Sequence, residues 1–512
     1  MNNTVPIDFQ NDKPFVIGIA GESGVGKTTI AEIISLFYGP DTCVLLSTDD
    51  LHKYNRSHPF WTKITHLHPD ANNLELGDFH LEQLLKWQPI WRSVYNHQTG
   101  NFNPPVKISP KPVIIIEGLH AFYTEKSKEM IDFKIFVDTD ENLRTHWKIL
   151  RDTEQRGYRY TDVLEAIERR RQDSWHLTNQ QLKDCDAKIQ ITIPLFTKPY
   201  KDPGHEGKEY NLHCFITKKV LNESITKTGA ALLDFIESYM KAFDDFIMLC
   251  EKVGNDIELS QGAGGNISVS VGQLMIIKAS GVPLKKVTRI GGYSIVKLAE
   301  IPKHIGNDQE LNSHIENAVI YKDRYLRPSM ETGFHAVLDF PIVLHAHPVY
   351  LTLILCMQNA KEIIESAIND FEKKHCFIPY LHPGWHLFSA VSDINPQKTV
   401  LFLGNHGIIL AGSSKKQLLQ EIKSLNNWAK KYIQEQLGSS FLSFDFSFAN
   451  HTECAGYFFP DAVIFSNHQE IKAMNNYIYT MGSKVGKLNR LSEQHIMSLK
   501  TMEAEKYRQQ QA

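Results

Sequence analysis

The chain lacks most of the features that settle a protein's class at a glance. Its seven cysteines, Cys43, Cys185, Cys214, Cys250, Cys356, Cys376 and Cys454, include no CxxC pair. An odd, scattered set argues against a disulfide framework and fits thiols kept reduced as small apolar side chains. No apolar run approaches the roughly 20 residues that span a bilayer. The opening MNNTVPIDFQND has no basic start leading into an apolar core, so no secretory leader is expected. Neither sign of charge dominates: 55 basic and 58 acidic residues leave a formal net charge of −3. That balance gives no electrostatic reason to expect nucleic acid or an anionic membrane as a partner. Fixed-period repeats and low-complexity tracts are missing too. Together these absences predict a cytoplasmic globular protein.

What is present is length. With 512 residues, 42% of them hydrophobic and 22% charged, the chain exceeds one ordinary core, and about 100–200 residues per domain predicts two to four domains. The first half reads as strands alternating with helices. PFVIGIA (14–20) is a short apolar run, and TTIAEIISLFYG (28–39) follows with helical spacing and a glycine stop. CVLLSTDD (43–50), VIIIEG (113–118) and FKIFVDTD (133–140) are further buried-strand candidates, the last followed by a long charged helix from about 141 to 173. Continuous apolar strands separated by helices predict an α/β fold with a parallel sheet covered on both faces. Residues 196–228 are polar and rich in Pro, Gly and Lys, apart from NLHCFITKK, which reads as a closing strand. The amphipathic stretch 231–253 then opens a second domain, so the expected division is 1–228 and 229–512. The charged stretch after about 470, ending in EAEKYRQQQA, reads as helix and is given no chemistry.

Two motifs carry chemistry. Gly21-Glu22-Ser23-Gly24-Val25-Gly26-Lys27-Thr28 satisfies G-x-x-x-x-G-K-[ST] directly after a strand and at the start of a helix, the context that the motif requires. Backbone N–H groups from Gly21 to Thr29 would wrap the phosphates of ATP, with Lys27 at the β/γ-phosphates and the Thr28 hydroxyl on Mg²⁺. Asp49 ends a second strand, where a carboxylate can take the proton of an attacking hydroxyl. Glu117 ends the VIIIEG strand, placed to hold Mg²⁺ or its water shell. Arg151 and Arg156, five apart at a helix end, suit anionic oxygens, although spacing alone leaves a solvated helix face equally open.

Residues from about 14 to 195 resemble phosphoribulokinase, within the phosphoribulokinase and uridine kinase family. STDDLHKYNR (47–56), HPDANN (68–73), YNHQTG (95–100), IIIEGLHAFY (114–123) and RDTEQRGY (151–158) carry the resemblance. It implies a P-loop kinase with Asp49 as catalytic base and His52 and Arg56 on the sugar phosphate. It also implies Glu117 serving the metal and Arg151 and Arg156 handling phosphate charge. The P-loop contains no cysteine, so thiol regulation is not expected. The extra half of the chain leaves the acceptor open among ketoses and ketose phosphates, and the HPDANN and YNHQTG blocks lean away from uridine.

In the second half, His345-Ala-His347 follows the apolar stretch FPIVL. Residues i and i+2 of a strand share a face, so both imidazoles can converge on one ion. His406 sits in VLFLGNHGIILAG and Glu331 in RPSMETGFHA. Three His and one Glu suit Zn²⁺ or another divalent transition metal such as Mn²⁺, Fe²⁺ or Co²⁺. With 23 histidines in the chain, chance pairing stays open on spacing alone.

Residues from about 232 to 470 resemble the class II aldolase/adducin family through GAGGNISVSV (262–271), IIKASGVPL (276–284), PSMET (328–332), HAHP and NHG. The resemblance implies a class II aldolase-like α/β domain with His345, His347 and His406 as metal ligands. It makes Glu331 the general acid/base, able to touch the metal, and gives Asn266, Ser280, Gly281 and Ser329 the substrate phosphate. Met330 departs from relatives that carry a serine there. FFPDAVIF (458–465) resembles a late segment of longer members. Family assembly implies a homo-oligomer, a tetramer through this domain, with sites at subunit contacts. The expected function is bifunctional: ATP-dependent phosphorylation of a ketose or ketose phosphate, and metal-dependent retro-aldol cleavage of a phosphoketose. The alternatives are a kinase fused to a sugar-phosphate epimerase or dehydratase, or to a nonenzymatic adducin-like assembly module. Adducin-type members lack the metal residues, all of which are present here.

Overall fold

A computed structural model describes residues 13–65, 67–96, 99–155, 157–192, 213–218, 223–289, 291–322, 326–368, 375–394, 399–450, 454 and 456–511. The chain divides into two compact units between Lys241 and Ala242. Helix Glu223–Gly254 contains both that division and the boundary expected at 228.

The apolar runs of the first unit form strands whose side chains are covered on both sides. Val16, Ile17, Ile19 and Ala20, four successive or nearly successive residues of Phe15–Ala20, are all fully buried. Such a run suits the centre of a parallel sheet and no solvent-facing strand. Six strands stand in the order His213–Lys218, Ala187–Thr192, Phe133–Thr139, Phe15–Ala20, Val113–Gly118 and Cys43–Ser47. Phe15–Ala20 pairs in parallel with both neighbours, and His213–Lys218 closes the edge antiparallel. The register sets Glu117 opposite both Ile19 and Ser47, at the carboxyl ends of the strands. Ligands collect at that end of open α/β sheets.

The single helix expected over about 141–173 is interrupted. Glu141–Leu150 passes into a π-helical turn, Arg151–Gln155, and a new helix runs Tyr160–Thr178. Tyr158 N donates to Asp152 O at 2.9 Å. The Asp152 side chain accepts from Lys148 at 3.1 Å and from Arg151 at 2.9 Å. The charged residues that suggested one continuous solvated helix instead bond to one another and fold the break. π-Turns of this kind often mark functional sites.

In the second unit a seven-stranded sheet runs Tyr293–Lys297, Leu274–Lys278, Asn266–Val271, Ile342–Ala346, Gly407–Gly412, Val400–Leu403, His375–Ile378. All neighbours are antiparallel except the last pair. Alternation puts Val343 and His345 on one face. Val343 joins Met275, Ile277, Phe334, Leu401 and Ile409 in an apolar cluster, so that face is apolar at mid-strand and polar at its end. The C-terminal stretch is docked: Glu503–Gln511 buries Ala504 and Glu505, and Gln509 Nε2 donates to Ile464 O at 2.6 Å. Among the described residues no helix is long and apolar enough to cross a membrane.

Candidate active sites

The glycine-rich loop joins Phe15–Ala20 to helix Lys27–Tyr38. Gly26 caps that helix at φ 92°, a left-handed conformation that favours glycine. Its backbone therefore turns amides toward the space in front of the helix, where an anion is favoured. Lys27 is buried, with Nζ donating to Glu22 O at 2.7 Å. Burial lowers its pKa, and Glu117, Asp49 and Arg151 are the charged groups that act on it. Thr28 Oγ1 lies 3.4 Å from Glu117 Oε1, a pair of hard oxygen donors that could hold Mg²⁺. Burial raises the pKa of Glu117, against the pull of Lys27. Lys27, Thr28, Asp49, Glu117 and Arg151 are thus brought together from four separate stretches. Thr29 is exposed, and Arg156 lies outside the described residues.

Asp49 sits in the short helix Thr48–Leu51, whose first turn is closed by Asp49 N donating to Ser47 Oγ at 3.2 Å. The neighbouring Asp50 pairs with buried Arg92 at 3.4 Å and accepts from Tyr95 N at 2.8 Å. Arg92 also donates to Ser47 O. A guanidinium buried this way needs such a carboxylate beside it. His52 Nδ1 lies 2.7 Å from Asn72 Oδ1. Arg56 stacks on Tyr158, 4.8 Å from the ring centroid, so two of the sequence blocks meet in space. Arg92 was not anticipated. Neither were two contacts that tie the helix Glu141–Leu150 to the P-loop: Arg144 pairs with Glu22, and Lys148 reaches Ser23 Oγ at 3.4 Å.

In the second unit His345, His347 and His406 are all buried, and their candidate ligand atoms lie within 4.8 Å of one another. His345 Nδ1 lies 3.0 Å from the Ile408 carbonyl oxygen. A carbonyl can only accept, so Nδ1 carries the hydrogen and Nε2 offers a lone pair. His347 Nδ1 lies 3.3 Å from Asp461 Oδ2, and its Nε2 is 3.1 Å from His345 Nε2. That contact is a hydrogen bond when one of the two Nε2 atoms carries a hydrogen; with the hydrogens on the Nδ1 atoms, both lone pairs face a space that suits a divalent transition metal. Glu331 Oε1 lies 3.4 Å from His345 Nε2 and 3.6 Å from His406 Nε2. Burial lowers the pKa of His345 and His406, favouring the neutral form that coordinates metals. His406 follows Asn405, held at φ 52° with Nδ2 donating to Phe458 O at 2.9 Å.

A cavity beside the cluster is lined by Ser280, Ser329, Met330, Glu331, His347 and His406. Asn266 and Gly281 do not line it. Asn266 stands opposite His345 in the strand ladder, fully buried, and neither amide atom has a hydrogen-bond partner. Gly281, at φ 76°, turns the loop after Ser280. Lys278, which was not anticipated, also lines the cavity. Its Nζ donates to Ala263 O at 3.2 Å and Val282 O at 2.8 Å, joining two glycine-containing loops. Burial lowers its pKa to about 8.

The sequence profile of the Phosphoribulokinase / Uridine kinase family matches residues 16–194. A uridine kinase from Bacillus pumilus is 40% identical over 158 residues, which is 30% of this chain and 74% of the relative. The chain belongs to the phosphoribulokinase and uridine kinase family. The phosphoribulokinase of Synechocystis is 36% identical over 182 residues, 36% of this chain and 55% of the relative, so the chain spans about half the length of that enzyme. Residues 245–433 match the Class II Aldolase and Adducin N-terminal domain. A solved N-terminal class II aldolase domain from Thermoplasma acidophilum aligns at 21% identity over 37% of this chain and 92% of its own, with a TM-score of 0.33. The protein therefore fuses a kinase-family domain to a class II aldolase-family domain. The first family implies a phosphotransferase using ATP with Mg²⁺, and the second implies a divalent metal.

Proposed function

We propose that the chain is a bifunctional sugar-metabolising enzyme. Its kinase half phosphorylates a ketose or ketose phosphate with ATP, and its second half cleaves a phosphoketose by retro-aldol chemistry at a divalent transition metal. The observation that carries the reading is the convergence of three buried imidazoles, ligand atoms within 4.8 Å, with Glu331 at their rim.

In the kinase half, the amides from Gly21 to Thr29 cradle the phosphates and Lys27 exchanges the Glu22 carbonyl for the β/γ-phosphates. Thr28 and Glu117 serve Mg²⁺. Asp49 accepts the proton of the acceptor hydroxyl as its oxygen attacks the γ-phosphorus, and ADP leaves. His52 and Arg56 hold the sugar phosphate, and Arg151 and Arg156 face the transferred charge.

In the second half, His345, His347 and His406 would hold the ion, Zn²⁺ or another divalent transition metal. When bound, the dication supplies electrostatic stabilisation of developing negative charge. Glu331 takes the proton from the hydroxyl on the carbon that becomes the aldehyde. The C–C bonding pair stays with the other carbon of the broken bond and moves toward its neighbouring carbonyl, and a proton returned to that α-carbon completes a triose-phosphate-type ketone. Ser280, Ser329, Asn266 and the Gly281 amide orient the phosphate at low entropy cost. Assembly as a homotetramer through this half and residence in the cytoplasm belong to the same reading.

The test is a panel of ketoses and ketose phosphates offered with ATP, following ADP release and then trapping carbonyl fragments with a hydrazine. A ketose that yields ADP and a trapped aldehyde supports both halves. A phosphorylated ketose that only changes configuration or loses water would replace the lyase with an epimerase or dehydratase.

A further inference from the structure

The last helix, Glu503–Gln511, reaches the imidazole cluster through two side chains. Arg508 and Glu505 line the same cavity as Glu331, His347 and His406. Arg508 is already committed there. Its Nη2 donates to Asp461 Oδ1 at 2.7 Å, and its Nη1 to the two Glu505 oxygens at 3.2 and 3.1 Å. Its Cζ lies over the Phe465 ring, 5.0 Å from the centroid. A guanidinium engaged on both prongs and stacked on one face is organising its neighbours rather than waiting for an anion.

The neighbour that matters is Asp461, in the short helix Pro460–Ile464. One of its oxygens faces Arg508, and the other, Oδ2, lies 3.3 Å from His347 Nδ1. Asp461 is 2% exposed and Glu505 1%. A carboxylate that deep stays ionised only beside a cation. Asp461 is also wedged in place: a Cβ on Gly264 would stand 2.4 Å from Asp461 Oδ2 and 3.0 Å from His347 Nδ1.

We propose that Arg508 is a positioning residue for the metal centre. It holds Asp461 against Nδ1 of His347 and so fixes that imidazole with Nε2 toward the ion. The inference rests on the metal-site reading above. A carboxylate on the remote nitrogen fixes the tautomer and ring orientation of a coordinating histidine and raises its basicity. The final helix thereby becomes part of the site, although its nearest link to His347 runs through a residue of another segment.

The experiment strips the full-length chain with a chelator and titrates it with Co²⁺, reading the visible absorption and the dissociation constant by competition. Wild type should bind one ion per chain. Arg508→Gln and Asp461→Asn should each weaken binding about 10–100-fold, and the double variant should be no weaker than the worse single one. Arg508→Lys, which keeps the charge but loses the two-pronged, ring-stacked geometry, should recover only part of the affinity. Circular dichroism checks that each variant is folded. Wild-type affinity and spectrum in Arg508→Gln overturn the proposal, as do fully additive losses in the double variant. Should Arg508→Gln fail to fold, undiminished Co²⁺ binding by Asp461→Asn overturns it. Failure of wild type itself to take up Co²⁺ sinks the metal reading and this inference together, whereas tight wild-type binding with an indifferent Arg508→Gln sinks only the latter.

Discussion

Replacing Gly407 with alanine should cost the second half both stability and its grip on a metal ion. Gly407 opens the strand after His406, and a Cβ built there stands 2.4 Å from the Ala346 carbonyl oxygen and 2.7 Å from Cδ2 of His347. Its φ is not positive, so the penalty is one of space rather than backbone strain. Relief to even a 3.0 Å contact requires the methyl and the carbonyl to part by about 0.6 Å. That carbonyl belongs to the ladder in which Ala346 pairs with Ile408, and Gly407 itself pairs with Leu403. Either two strands separate or the His347 ring swings. Metal geometry tolerates only about 0.2 Å, so the shift should weaken Co²⁺ binding about 10–100-fold, as when an imidazole loses its support. Overpacking adds about 1–3 kcal/mol of destabilisation, worth about 2–4 °C of Tm per kcal/mol for a unit of this size. Competition titration and calorimetry read the two effects. Gly291→Ala, where nothing lies within 4 Å, is the control and should change neither. Gly407→Ala with wild-type affinity and Tm would refute the steric reasoning.

Asp49→Asn should lower phosphorylation kcat by about 10²–10⁴-fold while isothermal titration finds nucleotide affinity unchanged; Lys27→Ala should instead lose nucleotide affinity. Because burial holds His345 and His406 below the ordinary imidazole value of 6.5, the unfolded chain takes up protons there first. Their contribution to stability is therefore complete above about pH 6.5 and lost as pH falls below it. The urea midpoint of the metal-free chain should drop between about pH 7.5 and about pH 5.5, and a smaller drop in His406→Asn ties the slope to these rings. Asn266→Ala should raise KM for the phosphoketose without altering Co²⁺ affinity, and a changed affinity would move Asn266 from substrate contact to metal support.

What the sequence made legible was whatever chemistry sits close together along the chain. The P-loop is one uninterrupted stretch from Gly21 to Thr28, and its strand and helix fall where the apolar runs end and begin. His345 and His347 are readable because a strand returns side chains to one face every second residue. Asp461 and Arg508 were invisible for the opposite reason. FFPDAVIF was legible only as a resemblance to longer family members, EAEKYRQQQA only as a charged helix given no chemistry, and no periodicity links the two. Only the docking of the final helix turns a solvent-seeking pattern into a buried ion pair. Arg92 likewise gives no local sign that it holds Asp50 beside Asp49. The break after Leu150 was missed because charged residues at helical spacing conceal side chains that bond to each other across the turn.

Asn266, His345 and the turn bearing His406 belong to three strands that lie side by side at the middle of the second sheet. Any fluctuation that frees one of those backbones must first dismantle the cluster, so occupancy and local opening form a single equilibrium. A ligand at a hundredfold of its dissociation constant would add about 2.7 kcal/mol to the protection of those amides against hydrogen exchange. The outer strands Tyr293–Lys297 and His375–Ile378 carry none of these groups and should exchange much as before. The deuteration pattern of the sheet would then report, strand by strand, what the cavity holds.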